Sequence, residues 1–119
     1  MRSAWLLALV ALSASAAVPA PGRYAATFCA ATSPAQPPSC GPAELDVRSR
    51  SHAEVRMSDI VYRLNLRPGQ LDVTMLQGRM LLDGFSAPYN WSGTTLRFTD
   101  GEKNTRYEIR PGRRLAPAR

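Results

Sequence analysis

Residues 60–77 read IVYRLNLRPGQLDVTMLQ, and their rhythm decides the fold class. Ile60, Tyr62, Leu64 and Leu66 alternate with Val61, Arg63, Asn65 and Arg67. After a short break, Leu71, Val73 and Met75 alternate with Asp72, Thr74 and Leu76. Side chains that repeat every second residue share one face of a β-strand, whereas a helix would space its apolar face by three and four. The break itself is Arg67-Pro68-Gly69-Gln70. Proline pre-sets the first central position of a type II turn, and glycine accepts the positive φ of the second. The segment therefore predicts a β-hairpin with one apolar face and one polar face.

The same period extends outward in both directions. RYAATF (23–28), ELDVRS (44–49) and HAEVRM (52–57) each alternate, as do TLRFT (95–99) and RYEIR (106–110). Between them lie short connections rich in Ser and Gly, such as RSRS, QGR, WSGT and TDGEKN. Strands of this length joined by tight turns predict an all-β domain. The expected form is a single antiparallel up-and-down meander of about 7–8 strands, a small barrel or sandwich carrying one disulfide. No stretch has a helical period. The expected boundaries are a leader over 1–17, a β domain over 18–110 and a disordered basic tail over 111–119, where arginines sit among Pro, Gly and Ala.

The leader rests on MRSAWLLALVALSASAA. Arg2 precedes an uncharged apolar run that ends in Ala14-Ser15-Ala16, the order of a cleavable signal peptide. The run is shorter than the roughly 20 apolar residues of a membrane-spanning helix, and no cysteine marks a lipobox. Export to the periplasm or the medium is expected, with no transmembrane segment. In an oxidising compartment the two cysteines in CAATSPAQPPSC (29–40) are expected to form a disulfide, Cys29–Cys40. A zinc site wants four Cys or His ligands, and only His52 could join the pair. No metal and no cofactor are expected. Pro34, Pro37 and Pro38 make the enclosed loop irregular and stiff.

The chain carries 15 Lys and Arg against 9 Asp and Glu, and all the basic residues but Lys103 are arginine. Together with frequent Ala and Pro, this usage suggests a GC-rich bacterial source. A basic surface favours an acidic partner. The arginines, however, are scattered among the strands, and Phe98 and Tyr107 fall on the apolar faces of Leu96 and Ile109. Nucleic acid is therefore not the expected partner.

Signs of catalysis are sparse. His52 is the sole histidine, and adjacent strand residues point to opposite faces, so Ser51 is not expected to pair with it. Asp46, Glu54, Asp72 and Glu108 alternate with core residues and should face outward. No phosphate loop or nucleophile elbow is present. The chain is not expected to be an enzyme.

One segment departs from alternation. MLLDGFSAPYNW (80–91) runs three apolar residues together and then places Gly84 and Pro88 among aromatics. Either it is a bent strand with its aromatics in the core, or Phe85, Pro88, Tyr89 and Trp91 form a partner-binding patch. DGFSAPYNWSGTTLRF (83–98) loosely resembles the glycine-then-tyrosine loop and following strand of periplasmic lysozyme inhibitors. Both cysteines here lie early in the chain, though, and a positive surface suits a basic lysozyme poorly, so no binding residue is carried over from that family.

The expected function is an exported, non-catalytic β-barrel binding module acting as a monomer, with another envelope protein as partner. Two alternatives stand beside it. One is a periplasmic inhibitor of an envelope enzyme such as lysozyme or a protease, and the other is a lipocalin-like carrier of a small apolar ligand.

Overall fold

The computed structural model describes residues 18–32 and 35–119. The expected leader and Pro34 lie outside the described residues. Nine strands follow one another: β1 (Gly22–Ala31), β2 (Ser39–Val47), β3 (His52–Met57), β4 (Ile60–Arg67), β5 (Gln70–Gln77), β6 (Met80–Ala87), β7 (Tyr89–Ser92), β8 (Thr95–Asp100) and β9 (Thr105–Ala116). They form one sheet in the order β6-β5-β4-β3-β2-β1-β9-β8-β7, and every pairing is antiparallel. Each strand but one pairs with the next in sequence, and β9 returns to β1. The one missing rung is β6 to β7, so the meander is a nearly closed up-and-down barrel with a single seam.

Pro88 explains the seam and the ninth strand. It falls between Ala87 and Tyr89, where it has no N–H to give a ladder and holds φ near −65°, so the segment 80–92 splits into β6 and β7. Side chains bridge the opening. The Phe85 and Phe98 rings face each other with centroids 6.2 Å apart, and Lys103 is paired with Asp83.

The alternating residues read from sequence line the interior. Phe28, Leu45, Val47, Val55, Leu64, Leu71, Val73, Leu96, Phe98 and Ile109 are all buried in one cluster. Registers such as Val55↔Tyr62, Leu64↔Val73 and Leu96↔Ile109 set these side chains opposite one another, the pairing through which sheets gain most of their packing energy. Gly69 has φ +74°, as its type II turn requires. A small pocket at the lower end, bordered by Leu45, Leu66, Trp91 and Ile109, holds about 20 Å³, roughly the room of one water.

At the other end the barrel mouth is aromatic. Tyr107 packs on Phe98 at 5.1 Å, on Phe28 at 5.7 Å and on Phe85 at 6.0 Å, while Tyr62 meets Phe28 at 4.7 Å. Partial burial raises the phenol pKa of both Tyr62 and Tyr107, because a phenolate would lose hydration there.

The C-terminus corrects an expectation. Residues 111–116 are not a disordered tail, because β9 continues through Ala116. Two register shifts against β1 let this half of the strand follow it, from Ala26↔Pro111 to Arg23↔Ala116. Pro111 is tolerated because β8 begins at Thr95 and pairs no further than Ile109, so the proline sits on an edge. Arg119 then reaches back across the outer face. Its N–H donates to Asp46 Oδ1 at 3.3 Å, and its guanidinium pairs with Glu44 at 3.1 Å. Asp46 points outward as its parity demands, yet it is fully covered there, with Arg48 3.5 Å away.

Candidate functional site

A groove of about 420 Å³ crosses the outer wall of the barrel from the seam to the disulfide loop. Strand register builds it. Cys40 pairs with Cys29, Cys29 with Glu108, Glu108 with Arg97, and Arg97 with Asn90. These five residues make one row across β2, β1, β9, β8 and β7, all on the face opposite Phe28, Phe98 and Tyr107. A second row, Ala31–Arg106–Thr99, lies beside it.

The disulfide Cys29–Cys40 is formed. It joins the rung next to the last of the β1–β2 ladder, and Cys29 is 1% exposed although it faces outward. Pro38, at the end of the loop that follows, forms one wall of the groove, and Pro88, Tyr89 and Asn90 supply the opposite wall. Both walls are stiff for covalent reasons: a cross-strand disulfide on one side and prolines on both.

The floor is ionic. Arg97 Nε donates to Glu108 Oε2 at 2.7 Å, and Arg110 donates to Glu108 Oε1 from Nε at 2.9 Å and from Nη2 at 2.6 Å. These bonds, that from Arg97 first, hold the Glu108 carboxyl below its ordinary value, since they favour the carboxylate. Glu108 is thus a fixed anion between the guanidinium groups of Arg97 and Arg110, and Arg106 lies two residues along β9 on the same face.

The structure brings together only part of what sequence singled out. Pro88 is exposed and Tyr89 lines the groove, so these two meet the disulfide loop at one site. Tyr89 is nonetheless half-buried, and its hydroxyl donates to the Arg67 carbonyl at 2.9 Å. Phe85 is half-buried in the aromatic mouth. Trp91 is half-buried at the opposite end, edge-on to Tyr89 with centroids 6.4 Å apart. Parity accounts for the separation, because residues 85 and 87 point inward and, past the proline, 89 and 91 do so again. The aromatics therefore pack against the core and do not make a continuous outer patch. Sequence reasoning placed Arg97, Arg106 and Glu108 on the outer face. It did not reveal that β9 lies against β1, which is what sets them beside the cysteines.

Ser51 and His52 depart from expectation. Ser51 Oγ lies 2.9 Å from His52 Nδ1, with Ser49 Oγ at 3.4 Å from the same nitrogen. The opposite-face argument fails because Ser51 belongs to the β2–β3 turn and not to the strand. His52 borders a second outer trough of about 520 Å³, together with Arg48, Glu54, Arg63 and Asp72. No carboxylate hydrogen-bonds the imidazole among the described residues, so the ring lacks the orienting partner of a catalytic triad. Among the described residues no three His, Cys, Asp or Glu side chains gather as metal ligands, and no helix is long and apolar enough to cross a membrane.

Comparison with known protein families, with curated proteins and with solved structures finds no match. The site is therefore argued from its own geometry.

Proposed function

We propose that the protein is an exported, non-catalytic binding module whose contact surface is the groove between the disulfide loop and the β7–β8 edge. The observation that carries this reading is the pair of stiff walls, the Cys29–Cys40 disulfide with Pro38 on one side and Pro88 on the other, which flank about 420 Å³ of outer groove. A surface already held in shape loses little conformational entropy on binding. Its chemistry suits a polypeptide segment of an envelope partner. Carboxylate or amide groups would meet Arg97 and Arg106, and apolar side chains would lie along Pro38 and Pro88. An envelope enzyme held in this way is one version of that partner. The carrier alternative draws on the aromatic mouth, but the buried apolar cluster below it favours the outer groove.

The test is affinity capture from the native envelope with a tagged chain, comparing the same captured species across variants. Arg97→Glu and Asn90→Arg alter the groove at exposed positions, and both are expected to abolish capture while the fold is kept, with a loss of under about 1 kcal/mol from the like charge each sets opposite Glu108 or Arg97. Trp91→Ala removes an inward-packed ring, so its effect should fall on stability. Capture that persists in both groove variants would overturn this assignment.

A further inference from the structure

The end of the β5–β6 hairpin is apolar on the outside of the barrel. Val61 pairs with Leu76 and Leu76 with Leu81, so the three form a row on the outer face of β4, β5 and β6. The register shifts between Met75 and Leu76, leaving Leu82 as a bulged residue without a rung. Met80, Leu81 and Leu82 are 57%, 63% and 42% exposed. Monomeric domains seldom leave consecutive large apolar residues so open unless something covers them.

The surroundings indicate what covers them. Arg79 stands exposed at the tip with no ion pair among the described residues, and Arg56, held to Glu54 at 3.3 Å, continues the row on the far side of Val61. The two nearby carboxylates are already engaged, Asp59 by Gln77 and Asp83 by Lys103. The formal charge of the whole chain is +6. An exposed apolar tip carrying the Arg79 cation, on a basic protein, is complementary to an anionic bilayer surface. A second copy fits less well. The bulge at Leu82 interrupts the ladder an edge strand would offer, and β6 beyond it is closed off by the seam contacts to Phe98 and Lys103.

We propose that this hairpin end docks on anionic membrane surfaces, with Met80, Leu81 and Leu82 entering the boundary between headgroups and acyl chains and Arg79 pairing with lipid phosphate. This surface is separate from the groove, so either assignment can fail without the other.

The experiment is co-sedimentation of the chain, as purified after expression of the full sequence, with two kinds of vesicle. One mixes phosphatidylethanolamine with phosphatidylglycerol, and the other is phosphatidylcholine alone. Residues 1–17 are common to every variant, so differences between variants report the hairpin. Binding should favour the anionic vesicles and weaken with salt. The Leu81→Ser, Leu82→Ser double variant should lower the partition coefficient by roughly tenfold or more, and Arg79→Gln by roughly fivefold. Met80→Ser, at the very tip, checks the apolar contribution independently should the double variant fold poorly. Equal binding to both vesicle types, or wild-type partitioning by all three variants, would overturn the proposal. Concentration-dependent dimerisation in light scattering, abolished by the double variant and without vesicle binding, would overturn it in favour of a second copy.

Discussion

Reducing the Cys29–Cys40 bond should weaken the protein without unfolding it. The two cysteines are 11 residues apart in sequence. In the chain-entropy treatment, a loop of that size restricts the unfolded state by about 2.8 kcal/mol at 25 °C. Native contacts change little, because β1 and β2 are also held by a nine-rung ladder from Gly22↔Val47 to Ala30↔Ser39. For a domain of this size the loss corresponds to a fall in thermal midpoint of roughly 10–20 °C. The assay is urea unfolding followed by tryptophan fluorescence, with and without a phosphine reductant, and repeated on Cys29→Ala, Cys40→Ala. Alanine is the better replacement, because Cys29 is buried and a serine hydroxyl there would add its own penalty. If the cross-link acts on the unfolded chain, the urea slope should rise slightly on reduction, as a freer chain exposes more surface. A stability change below about 1 kcal/mol would refute the argument, and so would a reduced protein without a cooperative transition.

Leu71 is fully buried between Leu66 and Ala87 on its neighbouring strands, so Leu71→Ala should cost about 3 kcal/mol through lost burial and a residual cavity, measured by the same unfolding curves. Glu108 titrates below its ordinary 4.5 because Arg97 and Arg110 hydrogen-bond it. A depressed carboxylate contributes stability that is fully present above its unfolded pKa and is lost as pH falls through the folded one. Stability should therefore decline from about pH 4.5 downward, and Glu108→Gln should flatten that decline by under about 1 kcal/mol, the ion pairs being partly exposed. Asp72 and Asp83 add to the decline with the same sign. Deleting residues 117–119 removes the Arg119 contacts but also uncovers Asp46 to water, so the two effects offset to within about 1 kcal/mol. Arg48→Ala leaves Asp46 covered with less compensation and should cost more, about 1–3 kcal/mol. A larger loss from the truncation than from Arg48→Ala would reverse this account.

The strands were legible because each needs only its own parity. IVYRLNLR and LDVTMLQ announce an inner and an outer face whatever they pair with, and RPGQ specifies the turn between them. The β-domain boundary at Arg110 was not legible, for a reason of the same kind. RPGRRLAPAR has no alternation to read, since its half of β9 is an edge with two bulges against β1, and its order comes from the β1 ladder and from Arg119 on Asp46. Local pattern reports faces. It does not report which long-range partner forgives an irregular strand.

The groove was illegible for a related reason. Its row joins Cys40, Cys29, Glu108, Arg97 and Asn90, which combines neighbours along a hairpin with partners about eighty residues apart in sequence. Only the closure of β9 on β1 brings them together, and no pairwise spacing in the chain encodes that closure. The hairpin tip is the opposite case. MLL at 80–82 stood out because it breaks the period, and the break has a structural cause, since the bulge at Leu82 absorbs one residue and keeps Phe85 and Ala87 pointing inward. A run of three apolar residues could have met that need with a polar residue at the bulge, where burial asks for nothing. The choice of leucine at an exposed, ladder-free position is thus not a demand of the fold. It leaves an apolar surface open to something outside the barrel, which is the ground on which the membrane-docking proposal rests.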